Sequence, residues 1–355
     1  MTTSTPAEQL ATDYAHLQNE LRSLQSKIHM SDARDAMGDM DTRLKALPQA
    51  VKDLRSRCYA FETGLEGQAA DMVQRWSAIQ PAVSTFIDQQ AIQHEMAIRP
   101  IEAKMGYLAG QMSSPEYALG QAKEVGAEID NLENKISGAG STASAMYSEL
   151  SSQFQKLNEH ITDLNYTFDQ VDQGCFKLLP TEAPIMAVKA TWTRDNREDR
   201  DDPQGVLYLT DQRIIFEQKQ EVATKKVLFI TTERKLVQQM ALEFAVDRVT
   251  DVTGNKQGLF KNEDYLDMTL STGAPVKSTQ FHIFGQGCQY WVGLINRTRA
   301  HEFDKDRVMQ LDPAEVEKVK NAPTICASCG GALPQVILRG QDAITCEYCG
   351  FTIRI

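Results

Sequence analysis

The residues with the clearest chemistry stand near the end of the chain. Cys326-Ala-Ser-Cys329 is followed, after sixteen residues, by Cys346-Glu-Tyr-Cys349. A two-residue spacing lets both thiolates of one turn face a single ion, and two such pairs complete a tetrahedral shell of sulfur. Gly330 and Gly350 follow the second cysteine of each pair. Glycine there permits a positive φ and turns backbone N–H groups toward the sulfurs, spreading their charge. The pattern predicts one structural Zn ion held by Cys326, Cys329, Cys346 and Cys349. Four protein thiolates leave no position for water or substrate, so the ion makes a fold and is not a Lewis acid. The remaining cysteines of the seven, Cys58, Cys175 and Cys288, fall in apolar patterns where a thiol packs as a small hydrophobe. Clustering of this kind argues for metal over a disulfide framework.

The elements that must position these thiols are short. Residues 335–338, a Gly340-Gln341-Asp342 turn, residues 343–345 and residues 351–355 predict three strands around two knuckles. The segment 324–355 resembles zinc ribbons as a class. Such ribbons often touch nucleic acid, but residues 326–355 carry only Arg339 and Arg354 against Asp342 and Glu347. A net charge of zero argues against nucleic acid and for a protein contact. Residues 304–323 read as a linker with a short helix over Pro313–Lys320.

From residue 177 to 303 the apolar period is two. Residues 187–192 read as a strand, and 205–216 as two strands around a turn at Asp211 and Gln212. Residues 225–230, 242–245, 249–253, 265–270 and 279–283 supply further strands. Trp291, Leu294 and Ile295 then share one helical face. About seven strands and one helix predict a small barrel or orthogonal sandwich plugged at one end by the helix.

Within this region Gly205-x-Leu-Tyr-x-Thr-x-x-Arg-Ile-x-Phe216 resembles the core signature of GRAM and bacterial pleckstrin-homology-like domains. That resemblance implies binding of a lipid head group or a protein partner, without catalysis. It also directs attention to the loop between the first two strands. That loop, residues 194–202, holds three Arg against five acids, and phosphate binding needs converging cations. Other candidate contacts are Lys225 with Lys226, Arg234 with Lys235, and the Lys256-Gln-Gly-Leu-Phe-Lys261 loop. There Leu259 and Phe260 either start a strand and fill the barrel, or enter an interface while Lys256 and Lys261 meet anionic lipid.

Residues 1–176 hold 14 Lys and Arg against 24 Asp and Glu, so nearly all of the net charge of -11 is theirs. Their apolar residues recur in alternating steps of three and four: Leu10, Tyr14, Leu17, Leu21, Leu24 and Ile28; Met40, Leu44, Leu47, Val51 and Leu54; Leu150, Phe154, Leu157, Ile161, Leu164 and Phe168. A period of 3.5 predicts coiled-coil seams that bury against another helix of this chain or of a partner. Pro48, Pro81 and Pro100 should each kink or restart a helix. The segment Ser137-Gly138-Ala139-Gly140-Ser141 reads as a break.

The sequence therefore predicts a multidomain α+β chain. It has an N-terminal helical coiled-coil region, a central pleckstrin-homology-like β-barrel closed by a helix, and a C-terminal zinc ribbon. No apolar run reaches the twenty or so residues a membrane span needs, and residues 1–10 lack the pattern of a secretory leader. The expected location is the cytoplasm, with peripheral contact on the inner face of a membrane. No Gly-rich phosphate loop, Ser-His-Asp order or HExxH is present. The resulting expectation is a non-enzymatic scaffold that assembles, or binds protein partners, through its helices. The alternatives are a nucleic-acid-associated regulator acting through the ribbon, and an enzyme whose residues converge from distant positions.

Overall fold

The computed structural model describes residues 5–193, 199, 201–227, 230–260, 262–333, 337, 341 and 343–355, with 222–227 and 230–234 as backbone only. The first five elements are helices: α1 (Pro6–Lys27), α2 (Ser31–Ser56), α3 (Leu65–Gly110), α4 (Pro115–Ala145) and α5 (Ser148–Gln173). The chain forms two compact units. One comprises Met1–Gln49 and Glu66–Asn158, the other Ala50–Leu65 and Glu159–Ile355.

In the helical unit the apolar seams close on one another. Thr5 and Glu8 form a capping box, with Pro6 in the first turn, and this fixes where α1 starts. Leu10, Leu17, Leu24 and Ile28 of α1 then share a core with Ile98, Ile101, Met105 and Leu108 of α3 and Val125, Ile129, Leu132 and Ile136 of α4. Further along α3, Trp76 stands edge-on to Tyr147 at 5.4 Å and donates its indole N–H to Asp41 of α2 at 3.0 Å. Arg43 of α2 lies 4.7 Å over the Phe154 ring of α5.

The helices depart from the expected breaks in two places. α2 continues through Pro48, and α3 runs for 46 residues through both Pro81 and Pro100. An internal proline costs roughly 3 kcal/mol. α3 buries Trp76, Val83, Ile87, Ile98 and Ile101, each worth about 1.5–3 kcal/mol, so burial outweighs the two prolines. Ser137–Ser141 is also helical, within α4. Ala139 and Ala143 are buried there, and the Ser141 and Thr142 hydroxyls donate to the carbonyls of Ser137 and Gly138 at 3.0 and 2.9 Å. The chain turns instead after Ala145, and between α2 and α3. In the latter turn Cys58 and Glu62 adopt φ of 67° and 64°. Arg55 donates to the carbonyls of Tyr59, Phe61 and Glu62.

The other unit is built on β1 (Pro184–Thr193), β2 (Gln204–Thr210), β3 (Arg213–Val227), β4 (Ile230–Ala245), β5 (Val249–Gln257), β6 (Glu263–Leu270) and β7 (Ser278–Phe284). All pairings are antiparallel, in the order β4-β3-β2-β1-β7-β6-β5. Among the described residues no ladder joins β4 to β5, so the sheet is open where a closed barrel was expected. Of the strands expected at 225–230 and 242–245, the described residues 225–227, 230 and 242–245 are not separate strands. They belong to one long β3–β4 hairpin whose charged middle hides its period. After β7 come α6 (Cys288–Arg299), α7 (Glu302–Lys305), α8 (Pro313–Lys320), β8 (Ala343–Thr345) and β9 (Thr352–Arg354).

Each face of the sheet is covered. Phe216 and Phe281 meet at 5.3 Å on one face, and Trp291, Leu294 and Ile295 of α6 are buried as their spacing predicts. On the other, Ala187, Val206, Tyr208 and Ile215 pack against Tyr166 and Val171 of α5 and Phe176 beyond it. Gly205 is required by close approach, since a Cβ there would lie 1.9 Å from the Glu217 carbonyl oxygen.

Candidate functional site

The four cysteines of the two C-terminal pairs come together. Their sulfurs all lie within 4.8 Å of one another, with Cys326 to Cys349 at 3.7 Å and Cys329 to Cys346 at 3.6 Å. A tetrahedral ion with metal–sulfur bonds of about 2.3 Å has sulfur–sulfur edges of about 3.8 Å, so the cluster is sized for one such ion. The knuckles are made locally. Gly330 and Gly350 take φ of 71° and 73° and donate to the carbonyls of Cys326 and Cys346, each at 2.9 Å. The Ser328 N–H points at the Cys326 sulfur at 3.4 Å.

Electrostatics also favour a cation there. The backbone N–H of Cys329 and then that of Ser328 draw the Cys326 thiol down to about 7. For Cys329 the Gly331 N–H acts in the same direction, but the neighbouring sulfurs of Cys349, Cys346 and Cys326, together with burial, prevail and push it up to about 12. Thiols this close cannot all ionise unless a cation offsets their repulsion. Beneath the cluster, Leu333, Ile337 and Ile344 form a small core with Cys326 and Cys346. β8 and β9 pair over three residues each. Of the third strand expected at 335–338, only residue 337 lies within the described residues.

The basic candidates do not converge. Val222 faces Lys235, Ala223 faces Arg234 and Lys225 faces Glu233 across the β3–β4 ladder, so Lys225, Lys226, Arg234 and Lys235 stand at the tip of that hairpin. The antiparallel registers carry this tip to the same end of the sheet as the last residues of β1 and the first of β2, and most of the expected loop at 194–202 lies outside the described residues. The β5–β6 turn lies at the opposite end of the strands. Lys235 is exposed. The side chains of Lys225, Lys226 and Arg234, and the whole of Lys261, lie outside the described residues. Leu259 and Phe260 do not fill a barrel: they occupy the β5–β6 turn at 93% and 83% exposure. Lys256 is 3.5 Å from Asp264 and so is already paired.

The Gly205–Phe216 motif proves to be structural. The Thr210 hydroxyl donates to Glu182 at 2.6 Å and accepts from the Arg213 N–H at 2.8 Å, tying the β2–β3 turn. Arg213 grips Glu182 with two bonds of 2.9 and 2.6 Å and reaches Glu243 at 2.7 Å. His160 stands between Glu62 at 2.8 Å and the Tyr290 hydroxyl at 3.4 Å. Both ring nitrogens face protein groups, which leaves neither open to a substrate proton. His282 is buried between Tyr265 and Phe284, with ring centroids at 4.5 and 4.1 Å.

No protein-family model matches the sequence, and no curated relative matches it. Among solved structures the chain is similar to the Vps36 N-terminal PH domain, at 14% identity over 35% of this chain and 83% of that one, with a TM-score of 0.24. It is also similar to the PDZ-RhoGEF DH/PH domains in complex with activated RhoA, at 10% identity over 84% and 96%, with a TM-score of 0.24. The DH/PH domain of human ARHGEF11, in a ternary complex with human RhoA and its inhibitor, gives 9% over 83% and 94%, again at 0.24. Among the described residues no helix is long and apolar enough to cross a membrane.

Proposed function

We propose that this protein is a non-enzymatic adaptor. Its pleckstrin-homology-like sheet docks on a lipid surface through the β5–β6 turn, and its four-cysteine module is a zinc-stabilised protein contact. The observation that carries the membrane reading is the pair Leu259 and Phe260, exposed together at a hairpin tip. Water is a poor solvent for both side chains, and burying each in an acyl layer is worth about 1.5–3 kcal/mol. Their sum gives only weak binding, as suits one contact among several in an adaptor. Lys256 is held by Asp264, and Glu263 is close by, so insertion and not charge supplies the affinity.

Zinc fits the sulfur cluster in ligand type, number and spacing. Cys326, Cys329, Cys346 and Cys349 would hold it, and it would supply folding energy to a segment otherwise too small to keep a core. Ile325, Tyr348 and Phe351 are exposed around the knuckles, which gives the module an apolar surface for another protein.

Vesicle sedimentation of the full chain tests the membrane reading. The wild type should pellet with phosphatidylcholine vesicles with little dependence on salt or anionic lipid, and Leu259→Ser/Phe260→Ser should lose at least about tenfold in binding. Equal sedimentation of that variant, or none by the wild type, would sink it.

A further inference from the structure

The face of the sheet that α5 covers holds a cleft of about 510 Å³ that docking through the β5–β6 turn does not use. Tyr166 of α5, Lys189 and Thr191 of β1, Val206 of β2, Lys219 of β3 and Phe284 of β7 line it, and among the described residues no carboxylate does. Thr191 is 1% exposed, and its hydroxyl has no protein partner; nor has the buried hydroxyl of Tyr166. Leaving a buried polar group unpaired costs about 1–3 kcal/mol, so two of them beside one cleft call for an external partner.

The register explains why two cations meet there. Lys189 is opposite Val206, and Val206 is opposite Glu217, so Lys189 and Lys219 leave the same face two strands apart. With strands about 4.8 Å apart and about 3.4 Å per residue, their Cα atoms are about 12 Å from each other, a gap two lysine side chains can close on one group. Lys189 is exposed, and Lys219 donates to the Gln173 amide oxygen at 3.1 Å. Two acids flank Lys219 on its own strand: Glu221 does not line the cleft, and Glu217 is fully buried and already accepts from Tyr208, the Cys175 N–H and Gln238 at 2.8, 2.7 and 2.8 Å.

Two ammonium groups and two hydroxyls that can donate, with no acid among them, suit a doubly charged acceptor better than a carboxylate. Phe284 and Val206 offer an apolar wall beside it. We propose that this cleft binds a small organic phosphate, its phosphate between Lys189 and Lys219 and its apolar part against Phe284. A soluble phosphate monoester and a phosphorylated lipid headgroup present the same chemistry.

Calorimetric titration of the full zinc-loaded chain with phenyl phosphate tests the proposal. One saturable site is expected, with no binding of benzyl alcohol. Lys189→Gln/Lys219→Gln should weaken it about tenfold or more, and Thr191→Val about fivefold. The glutamines keep the surface stems, and an unchanged circular dichroism spectrum shows that the double variant folds. No binding at millimolar phenyl phosphate, or equal binding by the double lysine variant, overturns the proposal. Vesicles with and without phosphatidate then separate the sources. Enhancement by phosphatidate that disappears in the double lysine variant assigns a lipid headgroup, and its absence beside phenyl phosphate binding assigns a soluble ligand. Failure of Leu259 and Phe260 to bind membranes leaves the titration unaffected.

Discussion

Arg213 shows how a side chain can be legible in sequence while its role is not. Its place in the Gly205–Phe216 pattern is plain, but its main partner Glu182 stands 31 residues earlier, and no local rule joins the two. Glu182 is fully buried. Arg213→Ala leaves that carboxylate without its cation, which should cost about 3–5 kcal/mol. Arg213→Met with Glu182→Gln removes both charges and should cost clearly less; denaturant unfolding of the two variants checks the order. Asp211, at the neighbouring turn, adds a pH dependence. Burial pushes its carboxyl up to about 6 against the opposing pull of the Ala183 N–H and of Arg307. A raised carboxyl pKa adds stability that is present below the ordinary carboxylate range and is lost as pH rises through about 6. Between pH 7 and pH 5 the wild type should therefore gain about 1 kcal/mol relative to Asp211→Asn. Parallel unfolding curves at the two pH values would show that this carboxyl titrates normally.

At the scale of elements, periodicity located the seams and most strands because burial on one face leaves a repeat of 3.5 or two. It could not say what covers a seam. The α1 stripe is satisfied by α3 and α4 of its own unit, so Leu17→Asp should lower the melting midpoint by the same amount at low and high protein concentration. A concentration-dependent loss would mean that the seam holds two chains together. Prolines and glycines misled for a related reason: they report local cost, while α3 and α4 are decided by long-range packing. The cysteine module is the opposite case, since four residues at fixed spacing state their geometry outright. With strands of three residues and a core of a few side chains, it should unfold alone when zinc is removed. Hydrogen exchange after chelation should expose 324–355 and leave β1, β2 and β7 protected. Unchanged exchange in the module would show that metal does not hold it.

At the scale of the whole molecule, the change of period near residue 177 marks where strands begin, but the compact unit that contains them reaches further back. It includes Ala50–Leu65 and everything from Glu159. Tyr166, Val171 and Phe176 cover one face of its sheet. Phe61 meets Phe303 at 5.4 Å, and the Val308 N–H donates to the Ala60 carbonyl at 2.7 Å. Sequence could not show this because residues 50–65 and 159–176 carry helical patterns like those of the segments before them. A fragment of residues 177–355 keeps every strand and loses these covers. Removing several large apolar side chains from a sheet face costs on the order of 5 kcal/mol, or about 10–20 °C in a unit of this size. Calorimetry should find its midpoint lower by that margin than the sheet transition of the full chain, with a hydrophobic dye binding the bared face. Restoring residues 159–176 should recover part of the loss. The fragment would also lack Tyr166, one wall of the cleft around Lys189 and Lys219, so its phenyl phosphate affinity should fall together with its stability. A fragment as stable as the intact chain would mean that the strands carry their own core and that the helix beside them is a passenger.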